Sequence, residues 1–193
     1  MSKPYVVGID IGGTNTVFGI VDARGVVLAS SSIKTRKNPT IEGYLDELHT
    51  ELTKLLEAND AVGKIHGIGI GAPNANYYTG TIESGVNLPW PTPIPLAKLV
   101  SDKFGIPVSI TNDANAAAIG EMTYGAARGL KDFIMITLGT GVGSGIVING
   151  QLVYGHDGFA GELGHVIMKR NNGRLCGCGR TGCLEAYCSA TGV

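Results

Sequence analysis

The chain has 193 residues, 44% of them apolar and only 16% charged, against a charged share of roughly 25% in ordinary soluble domains. That is enough chain and enough apolar content to bury a sizeable core, which excludes a disordered linker. Fifteen basic against sixteen acidic side chains leave a net charge of −1, which excludes the electrostatic footprint of a protein that grips nucleic-acid backbone or an anionic membrane surface.

Tyr5 opens an apolar strand that Asp10 interrupts too early for a signal-peptide core. No later apolar run approaches the ~18 residues of a membrane span, and a cytoplasmic protein is expected. A turn at Gly12, Gly13 and Thr14 leads into a second strand, and a third is predicted over 26–34. Pro39 and Thr40 then introduce a helix. Its apolar residues Ile41, Tyr44, Leu45, Leu48, Leu52, Leu55 and Leu56 recur at three- and four-residue spacing and define one buried face. A strand over 64–71, a loop rich in Pro, Asn and Gly over 72–95, a helix over 96–104, a strand over 108–111 and an Ala-rich helix over 114–127 follow. Together they describe an α/β layer.

Near residue 133 the string FIMITLGTGVGSGIVINGQ repeats VVGIDIGGTNTVFGIVDARG at an offset of 126. The offset lays Gly13 and Thr14 on Gly139 and Thr140, and Gly19, Ile20 and Val21 on Gly145, Ile146 and Val147. Two copies of a strand, turn and strand imply two related lobes, here 1–126 and 127–193. The second copy supplies only its hairpin, a third strand near Val166 and a Cys-rich loop, about half of the first plan. A fragment, or a chain completed by a partner, is expected.

Thirty glycines stand among the 193 residues, about 16% and twice ordinary usage, so backbone is brought close to something. The turn at Gly12, Gly13 and Thr14 can point its N–H groups at an anion with no Cβ in the way. Asp10, just before it, is placed to anchor Mg²⁺ beside bound phosphates. Thr140, Gly141 and Gly143 supply a second such turn, and two turns can clamp a triphosphate. Neither GxxxxGK[ST] nor a GxGxxG opening a helix is present, which removes the P-loop and Rossmann readings. Asn112-Asp113 follows the strand ending at Thr111. By residue type the pair is a helix cap; by position it is a ligand site, because ligands of open α/β sheets sit beyond the carboxyl ends of strands.

DIGGT followed by a repeated LGTG hairpin resembles the actin, Hsp70 and hexokinase superfamily. With NDANAAA at 112–118, GELGH at 161–165 and CGCGRTGCLEAY at 176–187, nearly the entire chain is similar to the ROK family of bacterial sugar kinases. The resemblance implies an actin-like (ribonuclease H-like) fold, one complete lobe plus about half of the second, with ATP and Mg²⁺ as cofactors. The implied reaction is phosphorylation of a hexose, glucose or a close relative, at its 6-hydroxyl. The resemblance makes Asp113 the catalytic base and Asn87, Asn112, Glu162, His165 and Glu185 the sugar contacts. Phosphates and Mg²⁺ then fall to Asp10, Gly12, Gly13, Thr14, Thr140 and Gly141. A loose phosphoryl-transfer transition state asks mainly for positioning and charge neutralisation, and carboxylates and amides suit neutral polyols. A homodimer is expected for the full-length protein.

The only cysteines, at 176, 178, 183 and 188, fall within thirteen residues. In a cytosolic chain that clustering indicates tetrahedral Zn²⁺ rather than disulfides. Two ligand sets fit: all four cysteines, or His165 with Cys176, Cys178 and Cys183. The resemblance favours the second and leaves Cys188 a buried thiol, with the other ring nitrogen of His165 turned to the sugar. Four protein ligands make such a zinc structural.

Ala72-Pro73-Asn74 stands where a Gly-Pro-Gly type of turn is expected, and Ser144 where Gly is usual, so the sugar stays open. N-acetylhexosamine and fructose kinases of the same family are alternatives. A sugar-sensing regulator would add a DNA-binding helix-turn-helix ahead of Tyr5. An actin- or Hsp70-like ATPase would need neither the carboxylates nor the Cys cluster. The 193 residues alone are expected to bind ATP poorly and turn over slowly.

Overall fold

Alternating apolar residues give the first sheet its buried face. In β1 (Tyr5–Ile11) the residues Val7, Ile9 and Ile11 are buried, and in β2 (Asn15–Asp22) Thr16, Phe18 and Ile20 lie on the same face. These strands and β3 (Val27–Lys34) form an antiparallel meander. The computed structural model describes residues 4–84 and 88–192, so Asn87 lies outside the described residues. Helix α1 (Ile41–Ala58) starts where Thr40 accepts a hydrogen bond from the Gly43 N–H at 3.2 Å. It buries Tyr44, Leu45, Leu48, Leu52 and Leu56, the face expected from the leucine spacing.

The chain then returns as β4 (Ile65–Gly71), parallel to β1. The expected loop over 72–95 contains a short hairpin, β5 (Ala75–Asn76) and β6 (Thr81–Ile82), and Ile82 bridges Ile94. Apolar burial drives this: Ile82, Leu88, Trp90 and Ile94 all join the core, and the Trp90 ring packs against that of Tyr44, tilted by 48° with centroids 4.5 Å apart. Asn74 takes a left-handed φ of 54°, the conformation a glycine would fill there, and its side-chain amide donates to the Ser84 carbonyl. Helix α2 (Leu96–Phe104) and β7 (Val108–Thr111) complete a five-stranded sheet of order β3-β2-β1-β4-β7.

The chain divides into two compact units, Met1–Asp113 and Ala114–Val193, and helix α3 (Asp113–Tyr124) spans the division. In the second unit β8 (Phe133–Leu138), β9 (Val142–Ile148) and β10 (Gln151–Leu152) form a sheet of order β10-β9-β8. Gly145 lets α3 lie close to β9, since a Cβ there would stand 2.5 Å from that of Ala118. The third strand is β10, not a segment near Val166. Asn149-Gly150, both with positive φ, make a two-residue hairpin that folds the chain straight back onto β9.

Both hairpins share one design. Gly19 pairs with Gly8, and Gly145 with Met135. The second turn is one residue shorter, so the offset is 126 between second strands and 127 between first strands. Among the described residues no helix is long and apolar enough to cross a membrane.

Candidate functional site

In the first unit three parallel strands end together. Asp10 is in register with Gly71, and Gly71 with Thr111, so Asn112-Asp113 leaves the sheet on the edge where Asp10 stands. Asp10 and Asp113 keep solvent contact and Asn112 is half-buried. Partial burial, and secondarily the charge of Asp113, raise the carboxyl of Asp10 above the usual range. Two acids that repel at a strand edge suit a cation. The turn over Gly12, Gly13 and Thr14 is fixed by Thr35, whose hydroxyl donates to the Gly12 carbonyl at 2.7 Å and whose N–H donates to the Thr14 carbonyl at 3.0 Å. Sequence reading missed Thr35; its only signal is a polar residue at the end of a strand.

In the second unit the turn from Gly139 to Gly141 joins β8 to β9, with Thr140 exposed and Gly141 half-buried. Gly143, expected in that turn, lies within β9. The GELGH segment packs on β9: Ser144 donates its hydroxyl to the Gly161 carbonyl, and a Cβ on Gly164 would collide with the Val142 carbonyl. Ser144 therefore has a definite task where glycine was expected. This packing presents a one-turn 3-10 helix, Leu163–His165, preceded by exposed Glu162.

The ring of His165 points two ways. Its Nδ1 lies 3.7 Å from Cys176 Sγ and its Nε2 lies 3.9 Å from Glu162 Oε2. His165, Cys176, Cys178 and Cys183 place their ligand atoms within 4.8 Å of one another. Zinc with S at about 2.3 Å demands a tetrahedral edge of about 3.8 Å, and Cys178 Sγ to Cys183 Sγ is 3.7 Å. The donor set thus fits a tetrahedral metal. The backbone N–H of Arg180 and then its guanidinium lower the Cys178 thiol, whereas burial raises that of Cys176. Cys188 is half-buried and its thiol points to the Leu184 carbonyl, apart from this group.

Glu185 uses both oxygens. Oε2 accepts from the Val142 N–H at 2.9 Å and Oε1 from the Cys176 thiol at 3.4 Å. The sequence supplied the residue but not these partners.

The fold is that of the actin-like ATPases. A ROK family model matches residues 6–193, and the chain belongs to the ROK family. It is 40% identical over 195 residues to a glucokinase of Halalkalibacterium halodurans, matching 100% of this chain and 59% of that protein. The structure of a ROK glucokinase from Streptomyces griseus, in complex with glucose and AMPPNP, superposes with a TM-score of 0.83 at 39% identity. That match covers 97% of this chain and 58% of the other. A xylose repressor of Bacillus subtilis is 35% identical over 96% of this chain and 48% of its own. The chain thus spans about half to three fifths of the length of these relatives.

Proposed function

We propose that this chain carries the sugar-binding residues and two phosphate turns of a cytoplasmic ATP-dependent hexose kinase acting on the 6-hydroxyl of glucose or a close relative. The observation that carries the reading is the shared edge of Asp10 and Asn112-Asp113 beside the turn at Gly12 to Thr14. Asp113 orients the sugar hydroxyl and accepts its proton late in transfer, while Asn112 holds a neighbouring hydroxyl. Glu162 and the Nε2 edge of His165 take further hydroxyls, and Glu185 does so with the oxygen that Val142 does not occupy. Backbone N–H groups at 13–14 and 140–141 receive phosphate oxygens, whereas those of Gly12 and Gly139 close their own turns on the carbonyls of Asn15 and Gly141. Mg²⁺ at Asp10 would neutralise phosphate charge. Zinc held by His165, Cys176, Cys178 and Cys183 would be structural, fixing the ring of His165.

A sugar-sensing regulator is the second reading, favoured by the repressor relative. Glucose-dependent ADP formation by the full-length protein separates the two. Asp113→Asn should abolish turnover, by at least ~10²-fold, and spare sugar binding. Unchanged turnover would remove Asp113 from the base role, and sugar binding without any ADP release would favour the regulator.

A further inference from the structure

Three hydrogen bonds strap the turn at 139–142 to the segment that follows the cysteine cluster. The Val142 N–H donates to Glu185 Oε2 at 2.9 Å, the Ala190 N–H to the Gly139 carbonyl at 2.8 Å, and the Thr191 hydroxyl to the Thr140 carbonyl at 3.0 Å. Glu185 opens helix α4 (Glu185–Cys188) two residues after Cys183, and its other oxygen accepts from Cys176. The Cys176 contact needs the thiol hydrogen, which a bound metal displaces. In the loaded chain the two-residue connection from Cys183 therefore ties the carboxylate to the cluster, one oxygen holds the turn and the other is left for a sugar hydroxyl. Gly141 makes room for it, because a Cβ there would stand 2.5 Å from Oε2.

We propose that Glu185 is a positioning residue that joins the cluster to this turn, so that a metal held by His165, Cys176, Cys178 and Cys183 orders residues 139–142. The functional consequence rests on reading the turn as phosphate-binding; the mechanical link does not. A turn made of Gly139, Thr140 and Gly141 has little side chain to pack, so its order must come from groups that fasten it. Val142 is 6% exposed, and its N–H would lose its hydrogen bond without the carboxylate. A metal that closes the 176–183 loop removes its freedom. The start of α4, and with it Glu185, is then held in one place.

Residue-resolved amide exchange at 139–142 tests this on the 193-residue chain, loaded with zinc and stripped of it. Zinc should slow exchange there by at least ~10-fold in the unsubstituted chain. Glu185→Ala should lose that response, and Glu185→Gln should restore part of it, since an amide oxygen still accepts from Val142. Gly141→Ala should lose it too, from the turn side and without touching any ligand. The absorption of cobalt bound by thiolates should be unchanged in Gly141→Ala. A zinc response absent from the unsubstituted chain, or intact in Gly141→Ala and Glu185→Ala, overturns the proposal. If Glu185→Ala fails to fold, Gly141→Ala decides. Nucleotide binding is scored separately: a turn that zinc orders but no phosphate occupies would sink the phosphate reading and leave the link standing.

Discussion

Ile9 and Ile136 hold the same place in two hairpins of one design, yet Ile9 is 3% exposed and Ile136 is 53% exposed. Their neighbours follow suit: Val7 and Ile11 are buried, whereas Ile134 and Leu138 are exposed. In the first unit this face belongs to a core shared with α1 and α2; in the second it meets solvent. Ile9→Ala should therefore cost about 2–5 kcal/mol, and Ile136→Ala less than about 0.5 kcal/mol. Paired melting curves check the contrast. Equal losses would mean that the Ile136 face is buried in solution. Replacing Ile134, Ile136 and Leu138 together by Thr should reduce self-association, seen by sedimentation, because it removes a contiguous apolar patch.

A buried file of hydroxyls ends at the turn over Gly12, Gly13 and Thr14. Thr35 spends its one hydroxyl hydrogen on the Gly12 carbonyl, so at 3.0 Å it accepts from Thr16, and Thr16 at 2.9 Å accepts from Tyr44. Burial raises the Tyr44 phenol, which keeps it protonated and donating. The direction of the file makes the two ends unequal. Tyr44→Phe removes one donor and should cost about 1 kcal/mol, whereas Thr35→Val strands both the Thr16 donor and the Gly12 carbonyl and should cost about 2–3 kcal/mol. Denaturant titrations of the two variants give the ranking, and a reversed order would refute the assigned direction.

Legibility followed the range of the signals. The start of α1 after Pro39 and Thr40, the leucine spacing of its buried face and the strand over 108–111 are local patterns, and the structure places all three where they were expected. The hairpin of β5 and β6 was not legible, because two-residue strands carry no periodicity. The third strand of the second unit was sought near Val166, although Asn149-Gly150 is a hairpin signal in its own right. Spacing left two ligand sets open, and it was the resemblance that favoured His165 with Cys176, Cys178 and Cys183, whose ligand atoms the structure brings together. Glu185 with Val142, 43 positions apart, and Thr35 with Gly12 are partnerships that only the folded chain creates.

Glu47 ties α1 to the segment before it, accepting from Lys37 at 2.7 Å and from the Asn38 amide at 2.5 Å. The Lys37 hydrogen bond, ahead of the Asn38 one, holds its carboxyl below the usual value of 4.5. A depressed carboxyl contributes stability that is present above the unfolded value and is lost as pH falls through the folded one. Glu47→Gln should thus lower stability by about 0.5–1 kcal/mol at pH 7. The difference from the unsubstituted chain should shrink below pH 4.5 and vanish in stronger acid. A gap that stays constant with pH would show that the charge of Glu47 is not its cause.

The two ligand sets that the sequence allows make opposite forecasts for Cys188. In the structure the group that converges is His165, Cys176, Cys178 and Cys183, with Cys183 fully buried and Cys188 pointing at a carbonyl. Zinc content per chain should therefore be unchanged in Cys188→Ser and lost in Cys183→Ser. His165→Gln should weaken zinc by more than the roughly 10–100-fold that loss of a supporting partner costs. A four-cysteine centre predicts the reverse for Cys188 and His165. Loss of zinc should also free the knuckle between Leu175 and Thr181, which bridge each other, while the buried core of the first unit, which contains none of these residues, keeps its melting transition. Should removal of zinc unfold both units together, the metal would be supporting more of the protein than the loop it closes.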